Sequence, residues 1–83
     1  MTDASESGAA EASIGSRIKS AREYHEMSQS QLAVRLGVER ATIATWENNK
    51  RAPRANRLVM LAGVLDVSLA WLLSGSGPEM TSR

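Results

Sequence analysis

Residues 28–50, S-Q-S-Q-L-A-V-R-L-G-V-E-R-A-T-I-A-T-W-E-N-N-K, constrain the fold more than any other stretch of the chain. They read as two short helices hinged at a glycine. Ser28 is placed to cap the first, because its hydroxyl accepts from the free N–H groups of an opening helical turn. Gln31 follows three residues on, as a capping box requires, and Met27 and Leu32 stand at the two positions of a hydrophobic staple. Leu32, Ala33 and Leu36 repeat at helical spacing and form the inward face. Gly37 ends the helix where a positive φ carries no Cβ penalty, and Val38 returns the chain to the core. The second helix is expected over residues 40–48, with Ile43 and part of Trp46 turned inward. Asn49 follows it as the next best residue to glycine at a left-handed position.

The flanking segments keep the same period. Ser13 caps a first helix with Ile14, Ile18 and Ala21 inside and Tyr24 and His25 on its last turn. Pro53 is expected to preset the start of a fourth helix that reaches Val64 or Leu65. Its core face is Ala55, Leu58, Leu61, Ala62 and Leu65. Ser68 caps a last short helix holding Leu69, Trp71, Leu72 and Leu73, closed by Gly75. No stretch alternates like a strand with hairpin turns. The class is all-α. The expected layout is a domain over residues 13–75, an acidic flexible tail at 1–12 and a second flexible tail at 76–83. The small acidic residues of the opening segment bury too little apolar surface to offset the entropy of ordering it.

Composition removes most other chemistries. With 83 residues the chain is one domain. It has no cysteine and a single histidine, so no metal site and no cofactor is expected. Paired carboxylates beside a pocket, a nucleophile–base set and a phosphate-binding glycine loop are all missing, which argues against an enzyme. No apolar run approaches membrane-spanning length, and the first residues lack the layout of a secretory signal. A cytoplasmic protein is expected.

The net charge of +1 is unevenly spread. Residues 1–13 carry −3, whereas residues 14–74 hold nine Lys or Arg against five Asp or Glu, a net +4. Lys50, Arg51, Arg54 and Arg57 gather just after the hinged pair, where they can neutralise phosphates and release counterions. The second helix of that pair is slim. Ala41, Ala44 and Thr45 let its backbone approach base edges, and Arg40 can reach guanine with two donors. Arg40, Ala41 and Thr45 are the candidate base contacts. Glu39 joins them as an acceptor for a cytosine amino group, with pairing to Arg35 or Arg40 as the intramolecular alternative. Gln29, Asn48, Lys50, Arg51 and Arg54 are the candidate contacts to the DNA backbone, which position without specifying.

The strings R-I-K-S-A-R, S-Q-S-Q-L-A, L-G-V, T-I-A-T-W-E-N-N-K, A-P and V-S-L-A-W-L-L occur in this order. Over residues 14–75 they resemble the helix-turn-helix domain of the phage repressor/Cro (XRE) family. The resemblance implies a compact five-helix, lambda-repressor-like domain whose helices two and three read double-stranded DNA. It implies a bacterial or phage-encoded sequence-specific transcriptional regulator, acting as a repressor. It further implies an interhelical ion pair between Arg22 and Glu47, and a Gln29 that braces the DNA backbone and touches reading-helix side chains. Two departures stand out. Glu39 occupies a site where Ser or Thr usually caps, and helix four carries Met60, Gly63 and Val64 where polar residues are common. A helix apolar all round is usually buried on both sides, so Met60, Val64, Trp71, Leu72 and Leu73 are expected at a homodimer contact. Two protomers would set two reading helices about 34–36 Å apart on a pseudo-palindromic operator. Two other functions fit the same fold: an antitoxin that binds a toxin partner and represses its own operon, and a protein-interaction module that does not read DNA.

Overall fold

Serine hydroxyls start three of the helices, at Ser13, Ser28 and Ser68, each accepting a backbone N–H of the turn it opens. The computed structural model describes residues 13–75; the tails expected at 1–12 and 76–83 lie outside the described residues. In chain order the helices are α1 (Ile14–Tyr24), α2 (Gln29–Leu36), α3 (Arg40–Glu47), α4 (Ala55–Leu65) and α5 (Leu69–Ser74). Among the described residues there is no strand, and no helix is long and apolar enough to cross a membrane.

The hinge has the local chemistry that its residues suggest. The Ser28 N–H donates to Gln31 Oε1 at 2.7 Å while Gln31 N–H donates to Ser28 Oγ at 3.0 Å, a reciprocal capping box. Gly37 adopts φ 75°, and the N–H groups of Gly37 and Val38 both reach back to the Ala33 carbonyl. That arrangement satisfies α2's last carbonyls and turns the chain sharply into α3. At the far end, α3 stops at Glu47 with Asn48 as cap, and Asn49 takes the left-handed conformation at φ 61°.

Two expectations about α4 need correction. Pro53 does not open the helix: it is buried ahead of the cap residue Arg54, and α4 begins at Ala55. The proline is buried one residue before the cap instead of starting the helix. Ala55, the first helical residue, is exposed and does not belong to the core face.

Every helix sends at least one fully buried side chain to a common centre: Ile18, Leu32, Ile43, Leu61, Leu65 and Leu72. Each such side chain contributes about 1.5–3 kcal/mol relative to exposure. Trp46, Val67 and Trp71 close the cluster, with Ile14, Met27, Val38, Leu58, Ala62 and Val64 packed against it. α1 touches α3, α4 and α5, and α2 packs on α3 and α4. α1 therefore backs the hinged α2–α3 pair.

The short α5 is held by a residue that the sequence does not single out. Arg17 is 4% exposed, and its Nε and Nη2 donate to the carbonyls of Leu72 and Leu73 at 2.9 and 3.0 Å. Those are terminal carbonyls that a helix cannot satisfy internally. α5 also corrects the dimer expectation. Trp71 and Leu72 are core residues of their own chain, at 4% and 0% exposure, and have no surface left for a second copy. Val64 is half-buried against the core. Met60 and Leu73 are exposed, together with Val59 and Leu69, which sequence reasoning had not singled out.

Candidate nucleic-acid interface

α3 is exposed on one side and locked on the other. Its inner side carries Ile43 and Trp46 into the core and places the Glu47 carboxylate against α1. There the Arg22 Nε donates to Glu47 Oε2 at 2.6 Å and Arg22 Nη2 donates to Glu47 Oε1 at 3.0 Å. The two side chains are only 10% and 3% exposed. A third Arg22 donor, Nη1, reaches the Met27 carbonyl at 2.9 Å, just before α2. One guanidinium thus fastens α1 to α3 and to the entrance of α2. The hydrogen bond to Glu47 holds Arg22 above its usual range, against the opposing effect of burial.

Glycine and asparagine make a second fastening that sequence reasoning missed. A Cβ at Gly15 would lie 2.4 Å from the Trp46 carbonyl oxygen and 2.6 Å from that of Glu47. Only glycine lets the first turn of α1 approach the end of α3 this closely. The Gly15 N–H donates to Asn49 Oδ1 at 3.0 Å, and Asn49 Nδ2 donates to Ser13 Oγ at 2.9 Å. A glycine inside a helical pattern was the available signal, but its partner lies 34 residues away.

The outer side of α3 is where the candidate base contacts gather. Glu39, Arg40 and Ala41 are exposed, and Ala44 and Thr45 are half-buried. Ala41, Ala44, Thr45 and Asn48 fall at i, i+3, i+4 and i+7, so they share one stripe. Glu39 is the cap residue of α3 but makes no side-chain cap hydrogen bond. Among the described residues it pairs with neither Arg35 nor Arg40. Arg40 instead donates from Nη1 to Gln29 Oε1 at 2.9 Å, and Gln29 Nε2 donates to Glu47 Oε1 at 3.0 Å. Gln29, expected on the DNA backbone, therefore has both ends of its amide on protein partners.

The candidate backbone contacts Asn48, Lys50, Arg51 and Arg54 are all exposed around the end of α3 and the turn beyond it. Arg51 and Arg54 border an open groove of about 500 Å³, with Val38, Thr42, Trp46 and Asn56 among its walls. Arg57 also borders this groove, but its Nη1 donates to the Leu36 carbonyl at 3.0 Å. It stabilises the end of α2, so the free cationic surface is narrower than the sequence suggests. His25 lies away from this surface and donates from Nε2 to the Leu65 carbonyl at 2.7 Å, a structural tie between α1 and α4.

Comparison with known proteins gives this geometry a family. The family described as Helix-turn-helix matches residues 18–72. A Bacillus subtilis (strain 168) protein, the uncharacterized HTH-type transcriptional regulator YqaE, is 32% identical over 62 residues, covering 75% of this chain and 53% of that protein. A second from the same organism, YobD, is 30% identical over 57 residues, or 69% of this chain and 51% of the relative. The chain spans about half the length of the curated relatives it matches. Among solved structures, the P22 c2 repressor in complex with a synthetic operator superposes with a TM-score of 0.74 at 30% identity, over 77% of this chain and 97% of that one. SinR, a regulator of biofilm formation solved in complex with DNA, gives a TM-score of 0.66 at 37% identity over 71% and 95%. The matched span takes in both helices of the hinged pair and the helices that back them, and the chain belongs to the XRE-type helix-turn-helix family of phage repressors and Cro.

Proposed function

We propose that the chain is a sequence-specific double-stranded DNA-binding transcriptional regulator, a repressor that acts in the cytoplasm by occupying an operator rather than by catalysis. The observation that carries this reading is α3: its inner side is clamped by Arg22–Glu47 while its slim outer stripe faces solvent. A rigid, narrow helix of this kind enters the major groove of B-DNA. Arg40, Ala41 and Thr45 are assigned to base edges, with Glu39 at the start of the helix. Asn48, Lys50, Arg51 and Arg54 are assigned to phosphate and sugar. The P22 c2 repressor and SinR, both solved on DNA, support the assignment. The operator is pseudo-palindromic and taken by two copies of the chain, at least when on DNA. Exposed Met60 and Leu73, with the outer edge of Val64, are the surface assigned to their contact.

Selection from a random duplex library, with the whole chain at low salt, tests the reading. The expected product is a motif of two inverted half-sites. A chain that enriches no duplex over random competitor does not read sequence.

A further inference from the structure

Gly15 and Arg17 stand two apart on α1 and grip two different helices. Gly15 abuts the carbonyls of Trp46 and Glu47, so the start of α1 has no slack against the end of α3. Arg17 grips α5. That helix has 6 residues, well below the length at which a helix holds its shape unaided in water, so the groups that contact it decide where it lies. The Gly75 N–H donates to the Trp71 carbonyl at 2.7 Å, and the next two carbonyls, Leu72 and Leu73, accept from Arg17 Nε and Nη2. A guanidinium is a rigid planar fork, so two bonds from one edge of it fix direction as well as distance. Its charge also stands at the helix end that favours a cation. Gly75 closes over the fork at φ 77°, where an added Cβ would lie 3.3 Å from Arg17 Nη1.

We propose that Arg17 is a positioning residue for the contact between two copies, and that by fixing the Leu73 backbone relative to α3 it sets the half-site spacing that the regulator accepts. The inference rests on the two-copy, DNA-reading assignment above. Leu73 is both a residue whose carbonyl Arg17 takes and an exposed side chain assigned to that contact. The path from the docking face to the reading helix is therefore short. It runs from Leu73 to the buried Arg17, along α1 to Gly15, and from there to the end of α3, with no loop in between. Moving one half-site by a single base pair shifts it by about 3.4 Å along the strand and turns it by about a tenth of a turn. A copy whose docking face is fixed relative to its reading helix cannot follow that displacement without giving up one contact or the other. A copy whose α5 is loose can follow it.

The test titrates the full chain on an isolated half-site and on two-site duplexes at the selected spacing or one or two base pairs away from it. Arg17→Lys keeps the charge and removes the fork. Gly75→Ala crowds the same fork from the other side and leaves α1 untouched. The parent is expected to bind the selected spacing at least about ten-fold more tightly than spacings one base pair away, and each variant less than about three-fold more tightly. Half-site affinity stays within about two-fold of the parent in both. Uniform weakening on every duplex, half-site included, makes Arg17 a support of the fold alone and overturns the proposal. A spacing preference as sharp as the parent's in Arg17→Lys overturns it too. Where circular dichroism shows Arg17→Lys unfolded, the Gly75→Ala profile decides by the same two criteria. A parent that binds every spacing alike overturns the two-copy assignment, and one that selects no motif overturns the DNA reading; the proposal falls with either.

Discussion

At the scale of single residues, burial decides what a charge is worth. Lys19 and Arg22 stand three apart on α1, yet Lys19 is exposed and Arg22 is 8% exposed with every hydrogen-bonding nitrogen engaged. Truncating Arg22 strands the Glu47 carboxylate, and breaking a buried pair in this way costs about 3–5 kcal/mol. Arg22→Ala is therefore expected to melt at least about 10 °C below the parent, with Lys19→Ala close to it. Equal melting temperatures in a thermal scan reject the clamp. The same pair fixes a pH expectation. Arg22 is raised above an already alkaline value by its hydrogen bond to Glu47, so its contribution is complete at neutral pH and lost only as pH rises through that raised value. Stability attributable to Arg22 stays flat from about pH 6 to about pH 9. Which charges are buried was only partly legible in the sequence. Arg57 reads in the sequence as one of the phosphate-neutralising cations and Arg17 is not singled out, because the carbonyls they satisfy lie 21 and 55 residues away.

At the scale of helices, the termini were legible because caps are local. Ser13, Ser28, Ser68 and Gly37 act on groups within one turn of themselves, so neighbours in sequence carry the information. Close packing between helices is not local, and there the two helical glycines separate. At Gly15 an added methyl meets backbone oxygens of α3, whereas at Gly63 nothing lies within 4 Å. Gly15→Ala must push α1 away from the end of the reading helix, and is expected to lose about 1–3 kcal/mol and weaken operator binding with it. Gly63→Ala is expected to gain about 0.5–1 kcal/mol, since a solvent-facing glycine inside a helix only adds freedom to the unfolded chain. Chemical denaturation of the two variants checks both signs at once. A neutral Gly15→Ala would mean that the α1–α3 approach is looser than the structure shows. Pro53 teaches the complementary lesson. Its fixed φ suits a helix start, but its apolar ring is buried and the helix begins two residues later, at Ala55.

At the scale of the molecule, one copy is too small to define an operator. α3 has 8 residues, a rod of about 12 Å, and a duplex rises about 3.4 Å per base pair along each strand. On the proposed function one reading helix meets about four base pairs, a string that recurs throughout any genome, and the proposed second copy on an inverted half-site is what would supply selectivity. Part of the surface proposed for that contact is Leu73, and exposed Leu69 adjoins it: they are 44% and 37% exposed and lie four apart on one face of α5. Leu69→Lys with Leu73→Lys leaves the core untouched, because Trp71 and Leu72 carry α5's buried contacts. The double variant is expected to keep the parent's affinity for an isolated half-site and to lose at least about ten-fold on the two-site operator. Inserting five base pairs between the half-sites turns the second by about half a helical turn, and should reproduce that loss in the parent chain. Gel shifts on one-site, two-site and spaced duplexes read all three. A parent that binds the spaced operator as tightly as the intact one works as independent monomers, and the α5 face then has no part in operator selection.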